Sequence, residues 1–524
     1  MCLRSSSSSR SRSTFSDPML AYLARLPLFL ILAGIAALAM FLPAFHALLL
    51  EDHTIARSFF YTGILGLALV SLTGVAMSTG PRRTDNDLAN LFSLFLTYSV
   101  LPLFLAIPFY EGLGTTSYLN AYVEMVSSLT TTGATLFDEP GRLRDSLHLW
   151  RGMIGWLGGL LMWVSASAVL AQLNLGGFEV TATAEPGQGG TRFDRFERAS
   201  ASRRLGRATV TLAPVYVGLT VIMWLCLLVG GDRPLVGLVH AMSTMATSGI
   251  SAVGGLQNAQ SGIAGEAVIF LFLTFALSRL TFSSDTVTTA RPGLWNDPEF
   301  RLGVIMVVGV PLALFARHWL GTLDVTEGQS WLAAFQALWG GAFSVLSFLS
   351  TTGFESAYWD AAQDWSGLET SGLILMGLAV MGGGVATTAG GVKLLRVYAL
   401  YLAGTREMER LIHPSSVGRA GARSRRIRRQ GAFVAWIFFM LFALSLAFLS
   451  VVFSALGIGF EQALVLSVAG LSTTGPLTHS ALEVPINLLT IGPWAKLTFC
   501  AAMVIGRLET LAIIALLNPG LWRD

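Results

Sequence analysis

The sequence predicts an all-α integral membrane protein, in which four pseudo-symmetric membrane-pore-membrane repeats surround a central pore and two additional transmembrane helices precede them. Three observations support this fold class: the composition, the lengths of the apolar runs and a small motif that occurs four times. The composition excludes a soluble domain, the run lengths give the spans, and the motif gives the repeats.

The composition indicates that the bilayer is the solvent of this chain. Hydrophobic residues make up 53% of the 524 residues and charged residues only 12%, which a soluble globular protein does not have. The formal net charge is only +3, so neither a nucleic acid nor an acidic substrate is indicated as a partner. The three cysteines show no disulfide or metal-ligand spacing. No catalytic constellation or cofactor motif is found, so an enzyme is not predicted.

Ten apolar runs are long enough to cross a bilayer, which takes about 20 residues per helix. They lie near residues 27–50, 58–79, 89–110, 152–173, 208–231, 262–281, 302–320, 367–402, 431–456 and 494–517. Four shorter apolar stretches lie between these runs, near residues 118–131, 234–247, 339–351 and 461–473. Their length suits re-entrant helices better than complete crossings. We therefore predict about ten spans and four re-entrant pore helices.

The runs divide the chain into six predicted segments. These are a disordered cytoplasmic tail (1–26), an extra helix pair (27–80), and repeats over 87–175, 207–282, 300–402 and 430–518. Arginine clusters near residues 82, 192–207 and 419–429 predict cytoplasmic loops, because positive residues accumulate on that side of a membrane. Both termini are then expected in the cytoplasm, and all four re-entrant helices open to the outside.

The repeated motif consists of two hydroxyl residues and a glycine at the end of each re-entrant stretch. The four copies are Thr131-Thr132-Gly133, Thr247-Ser248-Gly249, Thr351-Thr352-Gly353 and Thr473-Thr474-Gly475. One such tripeptide is a weak signal, but four copies about 110 residues apart indicate a pseudo-symmetric ring. Backbone carbonyls in a ring can replace the hydration shell of a potassium ion. Glycine permits the unusual backbone angles that turn those carbonyls inward.

A second signal interrupts the eighth apolar run. Its residues are Gly382, Gly383, Gly384, Thr387, Thr388, Gly390, Gly391 and Lys393. Irregular backbone at membrane depth is tolerated only inside protein or along a water-filled cavity. Two interpretations stay open on the residues alone, an intramembrane loop that obstructs a pore and a glycine-rich surface where helices pack closely.

Arg507 lies about 13 residues into the last apolar run, deeper than snorkelling of its side chain favours. It either faces the pore as a fixed positive charge or forms an interhelical ion pair with Glu509 or another acid. Five further polar residues are near predicted spans or pore helices: Glu124, Glu266 and Glu369, without an assigned role, and His46 and His240, expected at membrane interfaces.

These features together resemble the Trk/Ktr/HKT superfamily of potassium transporters over nearly the whole chain. The extra helix pair and the closing residues Gly506-Arg507-Leu508-Glu509, Pro519, Trp522 and Arg523 resemble its TrkH-like branch. One departure is Phe270–Arg279, which lacks paired glycines. The resemblance implies uptake of potassium, with rubidium, across a bacterial inner membrane. Glycine in all four motifs implies potassium over sodium, because relatives with serine in the first repeat favour sodium.

The resemblance also implies the gate and the partners. Residues 382–391 would form an intramembrane gate loop below the filter, with Arg507 as an electrostatic barrier or as its holder. Subunits of this kind form homodimers and bind a cytosolic RCK-type nucleotide-binding regulatory subunit (TrkA-like), here expected on the loops around 175–207 and 403–430. A less selective K+/Na+ transporter or a Na+-coupled transporter of the same fold is the alternative function.

Overall fold

The computed structural model describes residues 26–78, 87–170, 201–278, 295, 297–321, 331–367, 371–413 and 429–517. Every regular element in these ranges is a helix, which agrees with the predicted fold class. Several predictions fall outside the described residues: those on the tail to residue 25, most of the arginine clusters, Glu369, Pro519, Trp522 and Arg523.

The additional helices at the amino terminus are α1 (Leu28–Ala39), α2 (Phe41–Leu49) and α3 (His53–Ser78). Helices α1 and α2 together form one apolar segment of 22 residues and are joined at Met40. Pro43 lies in the first turn of α2, where its missing N–H breaks no helical hydrogen bond. These helices pack against one another and, through Ile55 and Phe59, against the first repeat.

The remaining helices follow the predicted order. The first predicted repeat contains α4 (Asp87–Ser99), α5 (Leu101–Leu113), α6 (Tyr118–Leu129) and α7 (Asp145–Ser165), which continues in a π-helical turn over Ala166–Leu170. The second contains α8 (Ala201–Val229), α9 (Pro234–Ala246) and α10 (Gly262–Leu273), followed by a 3₁₀ turn over Thr274–Leu277.

The third and fourth repeats contain additional breaks. The third consists of α11 (Pro298–Gly321), α12 (Trp331–Leu349), α13 (Trp359–Ser366), α14 (Ser371–Met381) and α15 (Leu394–Ile412). The fourth consists of α16 (Arg429–Ala455), α17 (Phe460–Leu471), α18 (Leu477–Ser480), α19 (Pro493–Leu508) and α20 (Thr510–Leu517).

The starts of the shorter helices follow local sequence. Proline occupies the first turn of α9 and α19, where its fixed φ suits a helix and no N–H is required. The Ser117 side chain caps α6 by accepting a hydrogen bond from the Asn120 N–H at 3.3 Å, which satisfies one free donor of the first turn. These three helices therefore begin where the sequence places proline or a hydroxyl cap.

Two of the predicted spans differ from the observed helices. In the described ranges eight helical segments are long and apolar enough to cross a membrane, by length and composition. Within the described part of the predicted span 262–281 lie α10 and its 3₁₀ turn, and the span 494–517 breaks at Glu509, which has φ 65°. The span 367–402 breaks after Met381, where its glycine-rich interruption begins, as predicted. The third re-entrant helix α12 begins at Trp331, earlier than predicted. The count of ten spans stays a prediction.

The core lies around the four short helices that precede the motifs. In α6, α12 and α17 the last two turns are buried throughout, and in α9 they are buried except for the partly exposed Met242. Outer helices instead expose large apolar side chains, among them Leu72, Val210, Leu444 and Val451. Exposed apolar surface on this scale fits contact with lipid, not water. The structure is that of a multi-pass membrane protein whose most buried elements carry the motifs.

Candidate functional site

Each of the four short helices ends in the same turn. The first threonine of every motif has a left-handed backbone, with φ 55° at Thr131, 50° at Thr247, 59° at Thr351 and 54° at Thr473. A positive φ is unfavourable for a β-branched residue, by about 1–2 kcal/mol. Four such residues at equivalent positions indicate a functional constraint, because backbone strain of this kind clusters at active sites and ligand-binding sites. The sequence analysis expected unusual backbone angles at the motif glycines, so it did not predict the left-handed threonines.

The N–H groups of the turns bond back to the helices that precede them. The N–H of the second hydroxyl residue donates to a carbonyl five residues earlier, at 2.9 Å in all four copies. The pairs are Thr132 to Ser127, Ser248 to Ser243, Thr352 to Ser347 and Thr474 to Ala469. The second hydroxyl residue of each turn is therefore held by the same backbone hydrogen bond in all four copies.

The four turns meet in a closed ring, which we call the motif ring (residues 131–133, 247–249, 351–353 and 473–475). A Cβ on Gly133 would meet the carbonyl oxygen of Ser248, and one on Gly249 would meet that of Thr352. A Cβ on Gly353 would lie 2.8 Å from the Pro476 ring, and one on Gly475 would meet Ala134. Each motif therefore contacts the next, and the fourth contacts the first. The structure brings all twelve predicted filter residues together.

The fourth turn departs from the other three. Gly133, Gly249 and Gly353 have positive φ, but Gly475 does not, so the expectation of an unusual backbone at every motif glycine is wrong at this position. The Gly475 N–H donates to the Thr132 carbonyl at 2.6 Å. The Gly475 carbonyl accepts from the Thr478 hydroxyl at 2.8 Å and from the Thr478 N–H at 2.9 Å. Pro476 starts the short helix that supplies these donors.

Buried polar side chains hold the segments that follow the first two motifs. Glu124 accepts from the Leu136 N–H at 3.0 Å and pairs with Arg151 at 2.6 Å, with both side chains almost fully buried. In the second repeat His240 Nε2 bonds to the Ser251 hydroxyl at 2.9 Å. His240 is completely buried, and its location at an interface stays a prediction.

A second buried carboxylate, that of Glu266, contacts the segment after the third motif. Glu266 on α10 accepts from the Ser356 hydroxyl at 2.7 Å, the Ala357 N–H at 2.6 Å and the Trp339 indole N–H at 2.8 Å. The sequence identified Glu124 and Glu266 as unassigned acids. Two of these five partners are the backbone N–H groups of Leu136 and Ala357, which no sequence pattern reveals.

The interrupted eighth run forms an irregular segment that we call the glycine-rich loop (residues 382–393). It packs directly against the motif ring. The Gly390 N–H donates to the Thr351 hydroxyl at 2.7 Å, and the Thr247 hydroxyl donates to that of Thr388 at 3.1 Å. A Cβ on Gly390 would also meet the Ser472 carbonyl. The loop therefore contacts the turns of three repeats.

The loop is also held from its other sides. The N–H of Val385 donates to Glu299 at 3.1 Å, and the N–H of Gly384 donates to the Ala276 carbonyl at 2.9 Å. The Lys393 ammonium donates to the Ala389 carbonyl. A cavity of about 40 Å³ adjoins Thr387 and Thr388. The segment has irregular backbone, and its glycines also lie close to neighbouring elements, so both interpretations of it stay open.

Arg507 reaches this loop from α19. It is 2% exposed, and its Nη1 donates to the Thr388 carbonyl at 2.7 Å. The alternative ion pair with Glu509 is not formed, because Glu509 pairs with Arg396 at 2.7 Å. The Arg396 guanidinium also lies 3.6 Å from the centroid of the Phe438 ring. Two buried arginines thus have separate surroundings: Arg507 contacts the loop, and Arg396 has a carboxylate and an aromatic face.

Polar side chains follow all four motifs along the chain. Glu355 accepts from Gln257 at 3.4 Å, and His479 lies 3.6 Å from Asp138. Burial raises the pKa of Glu355 and lowers the pKa of His479, although the Asp138 carboxylate acts in the opposite direction on His479. No cluster of three metal-ligating side chains occurs among the described residues.

The chain is similar in sequence to known membrane transport proteins. The TrkH family model, described as a cation transport protein, matches residues 267–519. The chain is 29% identical over 493 residues to the Trk system potassium uptake protein TrkH of Salmonella typhimurium, covering 93% of this chain and 96% of that protein. It is 28% identical over 438 residues to TrkI of Halomonas elongata, covering 82% and 83%.

A solved structure shares the fold. The crystal structure of the potassium transporter TrkH from Vibrio parahaemolyticus superposes with a TM-score of 0.76 and 24% identity, covering 95% of this chain and 99% of that one. The arrangement of helices described above is therefore an experimentally observed one.

Proposed function

From the membership of this chain in the TrkH-like branch of the Trk/Ktr/HKT superfamily, we propose that it takes up potassium through the motif ring. The observation that carries the proposal is the closure of the ring, in which every motif glycine lies against the next turn. A ring of backbone carbonyls can replace the water around a potassium ion without a fixed charge. The names of the relatives, which are potassium uptake proteins, agree with this ion.

Selectivity for potassium over sodium follows from the tight fit of the ring. Gly133 has φ 74°, and a Cβ there would meet a carbonyl of the second turn, so no side chain fits without moving that turn. We assign the filter to the twelve motif residues and treat K+ as the transported ion, with rubidium as its tracer. Carbonyls held at a fixed spacing favour the ion whose coordination distance matches them.

The glycine-rich loop and Arg507 form the proposed gate. The loop bonds to the motif ring through Gly390 and Thr388, and Arg507 bonds to the loop through the Thr388 carbonyl. A positive charge at this depth opposes the passage of a cation. We assign the gate to Gly382, Gly383, Gly384, Thr387, Thr388, Gly390, Gly391, Lys393 and Arg507.

Orientation and partners complete the proposal. We propose that both termini lie in the cytoplasm of a bacterial cell with an inner membrane, which the arginine clusters of the sequence support. The polar residues that follow the motifs, such as Glu355, would then face outward. We propose a homodimer that binds a cytosolic RCK-type nucleotide-binding subunit on the loops around 175–207 and 403–430. The name Trk system, carried by the relatives, agrees with a transporter of several components. The isolated chain is then expected to show no response to nucleotides.

Growth under potassium limitation tests the proposal. A bacterial strain without its own potassium uptake systems is expected to grow in low-potassium medium and to accumulate rubidium when it expresses this chain with its regulatory subunit. Gly249→Asp is the control, because its side chain would meet the Thr352 carbonyl. It should abolish both signals while the protein is still found in the membrane. Wild-type chain in the membrane without growth or rubidium uptake would contradict the proposal.

A further inference from the structure

Glu266 is a buried carboxylate that reaches from the second repeat to the third. It lies on α10 and is 3% exposed. Its Oε2 accepts from the Ser356 hydroxyl and the Trp339 indole, and its Oε1 accepts from the Ala357 N–H. Trp339 belongs to the third short helix, while Ser356 and Ala357 follow Gly353 by three and four residues. One side chain therefore connects the helix before the third turn with the segment after it.

All three contacts use the Glu266 carboxylate as a hydrogen-bond acceptor. Three donors fill three of the roughly four acceptor positions of an ionised carboxylate, and hydrogen bonds to a charged group are about twice as strong as neutral ones. Within the described ranges no ion pair involves Glu266, whereas Glu124 behind the first turn has Arg151 at 2.6 Å. The carboxylate next to the third turn, Glu266, is therefore held by three hydrogen-bond donors. The carboxylate next to the first turn, Glu124, is held by an ion pair with Arg151.

We infer that Glu266 is a positioning residue for cation selection, which holds the third turn of the motif ring at the spacing that potassium requires. The inference rests on the function proposed above. The segment after Gly353 has other ties, but its hydrogen bonds from the Ser356 N–H to the Ser344 hydroxyl and from the Gln257 amide to Glu355 are both long, at 3.4 Å. Phe354 also has an edge contact with the ring of His240. The Glu266 contacts are shorter, so their loss should loosen the segment that follows Thr352 and Gly353.

Glu266→Gln tests this role, because the amide keeps the size of the side chain but presents N–H groups where one oxygen accepts a backbone N–H. Asp232→Asn is the matched control. Asp232 is also buried in the second repeat and also accepts from a backbone N–H and a hydroxyl, both of Ser261, at 2.9 and 3.0 Å. Ser261 precedes α10 and does not belong to the motif ring.

The first readout is the ratio of potassium to sodium uptake in liposomes. We expect Glu266→Gln to lower it about tenfold, since a lost charge-assisted hydrogen bond leaves the turn free to contract around a smaller ion. Asp232→Asn should keep the wild-type ratio. Smaller decreases are expected for Ser356→Ala and Trp339→Phe, which each remove one donor and keep the carboxylate. A wild-type ratio in Glu266→Gln would overturn the inference.

The second readout does not depend on the transported ion. Amide hydrogen exchange over residues 354–358 should accelerate about tenfold in Glu266→Gln and stay unchanged in Asp232→Asn. A wild-type chain that does not prefer potassium, together with faster exchange in Glu266→Gln, refutes the proposed function while the positioning contact stands. Unchanged exchange refutes the contact whatever the wild type transports. If Glu266→Gln does not fold, the two single-donor variants decide: unchanged ratios and exchange in both would refute the role.

Discussion

The motif ring and the glycine-rich loop lie in direct contact but are built differently. The ring uses one turn four times, with nearly equal φ values at its threonines and the same N–H bond back to each helix. The loop occurs once and touches three turns through three different kinds of contact, to Thr351, Thr247 and Ser472. The proposed filter needs similar carbonyls around one ion. The proposed gate needs one element that can move.

The difference predicts that the two regions can be damaged separately. Changes in the ring should alter the potassium to sodium ratio, and changes in the loop should alter the rate at an unaltered ratio. Four predictions, taken in order of expected effect, test this separation.

Gly133→Ser should have the largest effect. Its Cβ would meet the Ser248 carbonyl, and the residue has φ 74°, so the second turn must shift and the ring must widen or distort. The potassium to sodium uptake ratio should fall by about tenfold or more. The control is Gly114→Ser, which has a similar φ of 66° but nothing within 4 Å. An unchanged ratio in Gly133→Ser would count against the filter assignment.

Deletion of residues 386–388 should raise the flux of potassium about tenfold while the ratio to sodium stays at the wild-type value. The deletion removes the Thr388 contacts to Thr247 and to Arg507, so the loop loses its bonds to the ring and to α19 on that side. Flux and ratio are measured in the same reconstituted vesicles. A flux at the wild-type level, or a ratio that changes with it, would contradict the division of roles.

Arg507→Ala should raise flux severalfold, because it removes a positive charge and the hydrogen bond to the Thr388 carbonyl. Arg396→Ala is the matched comparison, since both arginines are buried. It leaves the Glu509 carboxylate without its partner, which costs about 3–5 kcal/mol of stability, and it should lower the thermal stability without raising flux per folded molecule. Equal behaviour of the two variants would refute a special role for Arg507.

Thr478→Val should have the smallest effect. It frees the Gly475 carbonyl from the Thr478 hydroxyl at 2.8 Å but leaves the bond from the backbone N–H. We expect the potassium to sodium ratio to change by less than about threefold. Thr478→Ser keeps the hydroxyl and should match the wild type. A change as large as that in Gly133→Ser would show that the fourth turn is as critical as the first.

The sequence was sufficient for the parts that depend on local pattern. The apolar runs predicted most of the helices, and the recurring motif predicted the twelve residues that meet in the ring. The glycine-rich interruption predicted the position of the loop. In these cases length, hydropathy and glycine act within a few residues of the chain, so no tertiary contact is needed to interpret them.

The sequence could not reveal features that depend on contacts between repeats. The clamps at Glu124, His240 and Glu266 bond to backbone groups or hydroxyls after the motifs, and the pairing of Glu509 with Arg396 connects positions 113 residues apart. The sequence alone does not identify the partner of an acidic residue in an apolar helix, because several donors could reach it in different folds. The left-handed threonines were missed for a related reason, because only the surrounding structure holds a β-branched residue at positive φ.

The reversal potential of the purified chain in liposomes tests the central claim most directly, which is that the motif ring selects potassium. Potassium is placed on one side and sodium on the other, at equal pH and equal total salt. The account predicts a reversal potential close to the potassium equilibrium value, and a shift toward zero in Gly133→Ser. A wild-type potential near zero, or one that follows an imposed sodium or proton gradient, would contradict it.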